Sequence, residues 1–292
     1  MVILGELLAI VAALSGAVSS VMYNKMGRKA TSDVLAFYRM WIAVPMMGLF
    51  SLISDGTFAF AWNSVSFWML FLSGVIGFYI TDLFMFKAYV SWGARETMVV
   101  MCFAPVLSGI LAFLIFHETM SAMQIAGSAL SIFGIVIMVV GDKSGAKAAL
   151  SAGAVYAFIA AVLQAVADMA AKFALDMVPW RTASFIRAVG GLLAWCIYAL
   201  IIRKTFVRDS AAIKTKGLFL TLFLTVIVGT AIGTTAAMGA LRYAPAGIVT
   251  SLKQISPVFI LPYEILFAKK KLTSSAVFGT LVSVIGVFII FF

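Results

Sequence analysis

Six ionisable side chains stand inside long apolar runs of this sequence: Arg39, Asp82, Asp168, Lys172, Arg187 and Lys253. An ionised group at the centre of a hydrocarbon layer costs ~2.5–3.5 kcal/mol on insertion scales, so each needs a partner or a water-filled hollow. Arg39 with Asp82, and Arg187 with Asp168, have the residue types for two ion pairs. Such pairs either pin helices permanently or break and re-form as a solute is held and released; the arginines can also snorkel to their own surface. Lys253 and Asp168 are further candidates to anchor or gate a solute. Nucleophilic and metal chemistry find no footing. His117-Glu118 lacks the second histidine that a zinc-protease helix requires, and it falls where a helix should end. Neither a glycine-rich phosphate loop nor a nucleophile elbow is present, so no metal, no cofactor and no enzymatic activity are expected.

The elements that must carry these charges are set by composition. Of 292 residues, 64% are hydrophobic and 11% charged, where a soluble protein has roughly half apolar residues. A helical crossing uses ~20 apolar residues, so ten crossings would use roughly 200. This excludes a secreted domain, a nucleic-acid binder and a disordered chain. The formal net charge of +10 does not gather on one solvated face, as nucleic-acid binding would require. The basic residues fall instead between apolar runs, where a cytoplasmic leaflet attracts them. Cys102 and Cys196 lie within apolar segments and read as packing residues, not a disulfide.

Apolar segments recur at about 3–23, 34–54, 64–88, 95–116, 121–141, 150–173, 181–202, 217–241, 246–267 and 273–292. The first, which carries Glu6 and lacks a positively charged start, reads as a retained helix and not a cleaved leader. The connector Arg203 to Lys216 is too short to fold alone. Loops after the odd-numbered helices hold fourteen lysines and arginines, among them Lys25, Lys143, Arg203 and Lys269, against three (Lys172, Arg181, Arg242) in the others. That bias places the odd loops in the cytoplasm and both termini outside. At 1.5 Å per residue, Arg39 and Asp82 then lie roughly 8–12 Å from the cytoplasmic face, with Asp168, Arg187 and Lys253 at similar depth from the outer face.

The second half of the chain repeats the first. Gly5 returns as Gly153 and Arg39 as Arg187, 148 residues on. Later the offset becomes 152: Gly77 with Gly229, Ala88 with Ala240, Ala94 with Ala246, Pro105 with Pro257, Gly127 with Gly279, Ser131 with Ser283 and Gly134 with Gly286. Five helices per copy is an odd number, so the second copy must enter the membrane from the opposite face. The chain is thus expected to be all-α, a polytopic membrane protein of ten transmembrane helices in two inverted five-helix repeats, residues 1–148 and 149–292. Inverted copies place a solute site near the midplane at their seam and supply alternating access. Lys253 has no charged counterpart, its equivalent being Met101.

The run Pro105 to Val136, with Glu118, Ser121, Gln124, Gly127, Leu130 and Gly134, is echoed by Pro257 to Val287 with Thr273, Gly279, Leu281 and Gly286. With Arg39 and Arg187 near the starts of the second helices, the whole chain resembles the ten-helix EamA-type branch of the drug/metabolite transporter superfamily, and within it the bacterial aromatic amino-acid exporters. The resemblance departs at Glu118, which becomes Lys270 in the second copy. It implies a secondary carrier of the bacterial inner membrane exporting aromatic and other bulky neutral amino acids. The small-molecule substrate and membrane lipid would be its partners, nucleic acid would not, and it would work as a monomer. Efflux of drugs or other metabolites is the nearest alternative, and an intramembrane lipid-modifying enzyme is one from another class.

A bulky amino acid needs partners for its carboxylate and ammonium groups and an apolar or aromatic wall. Tyr23, Asn24, Tyr79, Gln164, Gln254, Trp41 and Trp195 are candidates to line it, although tyrosine and tryptophan also anchor helices at interfaces. Pro105 and Pro257 are expected as mirrored hinges, and Pro45 as a plain kink. Gly127, Gly134, Gly279 and Gly286 are expected to let helices pack closely.

Overall fold

A computed structural model describes residues 2–27, 29–56, 64–91, 97, 100–101, 103–140, 152–202, 209–253, 255–256, 258–259 and 274–290. The described residues form helices and no strand: ten helical stretches and, between the seventh and eighth, a 3-10 helix Ser210–Lys214. The first repeat comprises α1 (Val2–Met26), α2 (Ser32–Asp55), α3 (Val65–Val75, a π-helical turn Ile76–Ile80, then Thr81–Ser91), α4 (Phe103–Phe116) and α5 (Ala122–Val140). The second comprises α6 (Ala152–Ala174), α7 (Trp180–Ile197 with a π-helical turn Tyr198–Ile202), α8 (Lys216–Thr225, a π-helical turn Val226–Ile232, then Gly233–Tyr243), α9 (Ala246–Lys253) and α10 (Ser274–Ile290). Six of the helices are long and apolar enough to cross a membrane, and Phe103–Phe116, Ala122–Gly134 and Val277–Gly286 are shorter apolar helices.

Local chemistry explains where these elements start and stop. The Ser64 hydroxyl accepts from the Phe67 amide at 3.2 Å and caps α3. Ser121 and Gln124 bond each other's backbone amides reciprocally, at 2.9 and 3.2 Å, and open α5. Gly56, with φ 74°, closes α2 by donating to the Leu52 carbonyl. His117, with φ 54°, ends α4, as expected of that position. The third and eighth segments differ from the uninterrupted helices expected: each carries a π-helical turn, at Gly77 and Gly229, which are repeat equivalents. A Cβ on Gly77 would meet Ala167, and one on Gly229 would meet Ser19, itself the equivalent of Ala167.

The packing is reciprocal throughout. Helix α3 lies against α6 and α7, while its counterpart α8 lies against α1 and α2; α4 packs on α6 as α9 packs on α1. Three pairs, α2 with α7, α4 with α9, and α5 with α10, join equivalent helices. In the last pair Ser131 Oγ sits 3.3 Å from Ser283 Oγ, its own repeat equivalent. A Cβ on Gly134 would strike the backbone of Gly279 and Ser283, and one on Gly286 would strike that of Gly127 and Ser131. Position 127 of the first copy therefore faces the equivalent of 134 in the second, and 134 faces the equivalent of 127. The two helices run antiparallel about a twofold axis through Ser131 and Ser283. That axis is perpendicular to the helices, so it lies in the membrane plane and the repeats are inverted. The glycines are close-packing surfaces, as their spacing suggests.

Candidate substrate-binding and gating site

Helix α6 is built for close approach: Ala157, Ala160, Ala161, Ala165, Ala167, Ala171 and Ala174 are buried along it. Among them it holds one acid, Asp168, a helical turn beyond Gln164. Gln164 Nε2 donates to Asp168 Oδ1 at 3.0 Å. Arg187 of α7 approaches the same oxygen at 3.5 Å, and Lys253 at the end of α9 donates to Oδ2 at 3.2 Å. Both oxygens of one carboxylate are thus occupied by cations from two other helices.

The two cations are not equivalent. Arg187 is enclosed: its guanidinium lies over the Phe78 ring at 5.3 Å, Nη1 donates to Met238 Sδ at 2.9 Å, and its side chain is 4% exposed. Gly77 admits it, since a Cβ there would lie 3.2 Å from Nη2. Lys253 is 25% exposed against 1% for Asp168. Helix α9 itself packs against α1, α4, α5 and α8.

The second charge layer is balanced. Arg39 of α2 donates through Nη2 to Asp82 Oδ2 on α3, with both side chains largely buried. Tyr79, one turn before Asp82, joins Trp195 and Tyr198 of α7 in an aromatic trio with ring centroids 5.2 to 5.9 Å apart. Trp195 Nε1 donates to the Phe78 carbonyl at 2.7 Å. One π-helical turn therefore places the Phe78 ring under Arg187, the Phe78 carbonyl on Trp195 and Tyr79 in the trio.

A third cluster was not foreseen. Glu118, just past α4, receives Lys172 of α6 at 2.6 Å through Oε1 and the Ala246 amide at 3.0 Å through Oε2. Lys172 also donates to the Ala244 carbonyl at 3.2 Å. Glu118 thus places a negative charge at the start of α9, where the helix favours it. Beside it Arg242 pairs with Asp176. No spacing rule links residues so far apart; the only sequence cue was an acid at the end of one apolar run and a Pro-Ala turn opening another.

The structure thus brings Arg39 to Asp82 and Arg187 to Asp168, as expected, adds Lys253 and Gln164 to the latter pair, and sets Tyr79 in an aromatic cluster. Pro105 is buried in Phe103–Phe116, with Val100 and Met101 also helical just before it. Gln254 and Pro257 lie outside the described residues, as do Cys102 and the Asn24 side chain. Trp41 is placed differently from the cavity wall suggested for it. It is 51% exposed, beside Phe37 of its own helix and Cys196 of α7. Among the described residues no group of three or more His, Cys, Asp or Glu side chains could hold a metal ion.

Apolar helices in two inverted copies, with paired charges buried between them, are the architecture of a multi-pass membrane carrier. The EamA-like transporter family matches residues 3–140 and, a second time, residues 151–292. The chain belongs to that family, and is a multi-pass membrane transporter of small metabolites. A solved crystal structure shares the fold over 98% of this chain and 94% of its own, with a TM-score of 0.79 at 15% sequence identity. No curated protein matches the chain.

Proposed function

We propose that the protein is a secondary carrier that exports amino acids, aromatic and other bulky neutral ones, across the bacterial inner membrane, with both termini outside. Alternating access comes from rocking the inverted repeats about the α5–α10 axis. The observation that carries this reading is the joint at Ile76–Ile80. There a single turn connects a buried charge cluster, suited to a polar head group, to the half-buried Tyr79 and Tyr198 rings, which pack on the fully buried Trp195 and could meet a flat apolar side chain. The fourteen-to-three bias of basic residues supports the orientation.

Purified protein in liposomes, challenged with radiolabelled amino acids, tests the reading. Saturable counterflow of phenylalanine, tyrosine, tryptophan and leucine is expected. Flux that neither saturates nor shows counterflow would indicate a channel, and exchange confined to drug-like cations would favour the efflux alternative.

A further inference from the structure

The charge cluster on α6, α7 and α9 does not balance. Asp168 carries one negative charge and serves two cations, Arg187 and Lys253, whereas Arg39 and Asp82 in the other layer match one to one. Among the described residues no other acid is paired with either cation of the triad. A surplus positive charge at membrane depth is costly unless something supplies an anion part of the time. We infer that this anion is the carboxylate of the transported solute, that Lys253 is its anchor, and that a solute ammonium is not required. The inference rests on the carrier reading above and narrows its substrate class to monocarboxylates with a bulky apolar side chain.

The geometry selects Lys253 over Arg187. Arg187 is confined by the Phe78 ring, Met238 and Asp168. Lys253 is the accessible partner, and a lysine has a flexible four-carbon stem that lets its head move. When Lys253 turns to the solute, Asp168 keeps Arg187 at 3.5 Å and Gln164 at 3.0 Å, so the carboxylate is never stranded. Lys253 thus exchanges one carboxylate for another. A monoanion cancels the surplus; a phosphate dianion would overshoot it, and a neutral amide would leave it standing. The repeat equivalent of Lys253 is Met101, packed with Ala104, Ala160 and Ala161, so the molecule has one such anchor and not two.

The test compares three probes with one side chain: phenylalanine, phenyllactate, which lacks the ammonium, and phenyllactamide, a neutral amide that lacks both the ammonium and the carboxylate. Phenyllactate should compete with labelled phenylalanine in counterflow at least as well as phenylalanine itself, which brings an ammonium of its own. The amide should be weaker by about tenfold or more, the loss expected for one charge-assisted hydrogen bond. Lys253→Met should abolish the discrimination, and Lys253→Arg should keep it. A second measurement, thermal stabilisation of the purified protein by each probe, reads the same preference without transport and shows whether Lys253→Met is folded. Amide binding as tight as the acids, or carboxylate preference surviving in Lys253→Met, would overturn the inference even where saturable exchange stands. Absence of any amino-acid exchange would overturn the carrier assignment, and the stabilisation series would still decide the anchor.

Discussion

The two repeats agree where they hold the molecule together and disagree where they could touch a solute. Gly127, Ser131 and Gly134 meet Gly279, Ser283 and Gly286 in reciprocal contacts. Gly77 and Gly229 both lie within π-helical turns, of five residues in α3 and seven in α8. Yet Asp168 corresponds to Ser20, Gln164 to Gly16, Lys253 to Met101, Asp82 to Thr234 and Glu118 to Lys270. The seams differ as well. A Cβ on Gly74 would strike the Arg187 backbone and one on Gly190 that of Phe71, so α3 and α7 lie nearly backbone to backbone. Their equivalents, Val226 and Ile42, carry full side chains, which hold α8 and α2 further apart. The α3–α7 seam is therefore the tighter of the two equivalent seams. Apart from Arg39 and Arg187, which are repeat equivalents, the buried charges Asp82, Asp168 and Lys253 sit at positions the repeat does not duplicate.

Carboxylate removal should give the largest contrast between the layers. Losing one partner of a buried ion pair costs about 3–5 kcal/mol, because a buried charge is left without compensation. Asp82→Asn strands one arginine, whereas Asp168→Asn strands two cations. Asp168→Asn should have the lower thermal stability in detergent and no measurable exchange. Combining it with Lys253→Met should recover most of the lost stability, since one of the stranded charges is gone. Equal losses in the two single variants, with no recovery in the double, would mean that Lys253 does not share Asp168 and that the layers are equivalent.

The α5–α10 contact offers the opposite kind of test, because there the halves should behave alike. Gly134→Ala and Gly286→Ala each force a methyl group into the facing backbone, an overpacking that costs about 1–3 kcal/mol. The reciprocal geometry requires the two losses to match in thermal unfolding. A variant that is harmless at one position and severe at the other would show that the twofold axis does not pass between Ser131 and Ser283.

What could be read from the sequence follows the same division. The glycine pattern and the odd number of helices per copy gave the inverted architecture, since symmetric packing leaves matched residues at a fixed offset. The Arg39–Asp82 and Arg187–Asp168 pairs were legible because a charge at membrane depth needs a partner and few were on offer. The Lys253–Asp168 contact was not, because it depends on how far α9 descends beside α6. Nor were the π-helical turns, since one extra residue per turn leaves no mark on an apolar run. The bonds from Glu118 to Lys172 and Ala246 join residues 54 and 128 positions apart, and only the folded chain brings them together.

That last cluster supplies the finest comparison, between the two ends of the bundle. At one end Glu118 with Lys172 and Asp176 with Arg242 tie α4, α6, α8 and the start of α9 together. The equivalents of these residues are Lys270, Asn24, Arg28 and Val90, which contain no acid, so the repeat cannot build the same clasp at the other end. The two bonds of the clasp are unequal. Asp176 and Arg242 are 83% and 38% exposed, and exposed pairs contribute about 0–1 kcal/mol. Glu118 holds a lysine and a helix-opening amide in partly buried surroundings, where charge-assisted bonds are worth about 1.5–3 kcal/mol. Glu118→Gln should therefore lower the unfolding temperature measurably, while Asp176→Asn should leave both stability and exchange rate unchanged. A clear loss in Asp176→Asn would show that the clasp works as one unit, with the exposed pair holding the α6 end in place for Lys172. A silent Glu118→Gln would show that the Ala246 amide alone, still satisfied by the glutamine oxygen, fixes the start of α9.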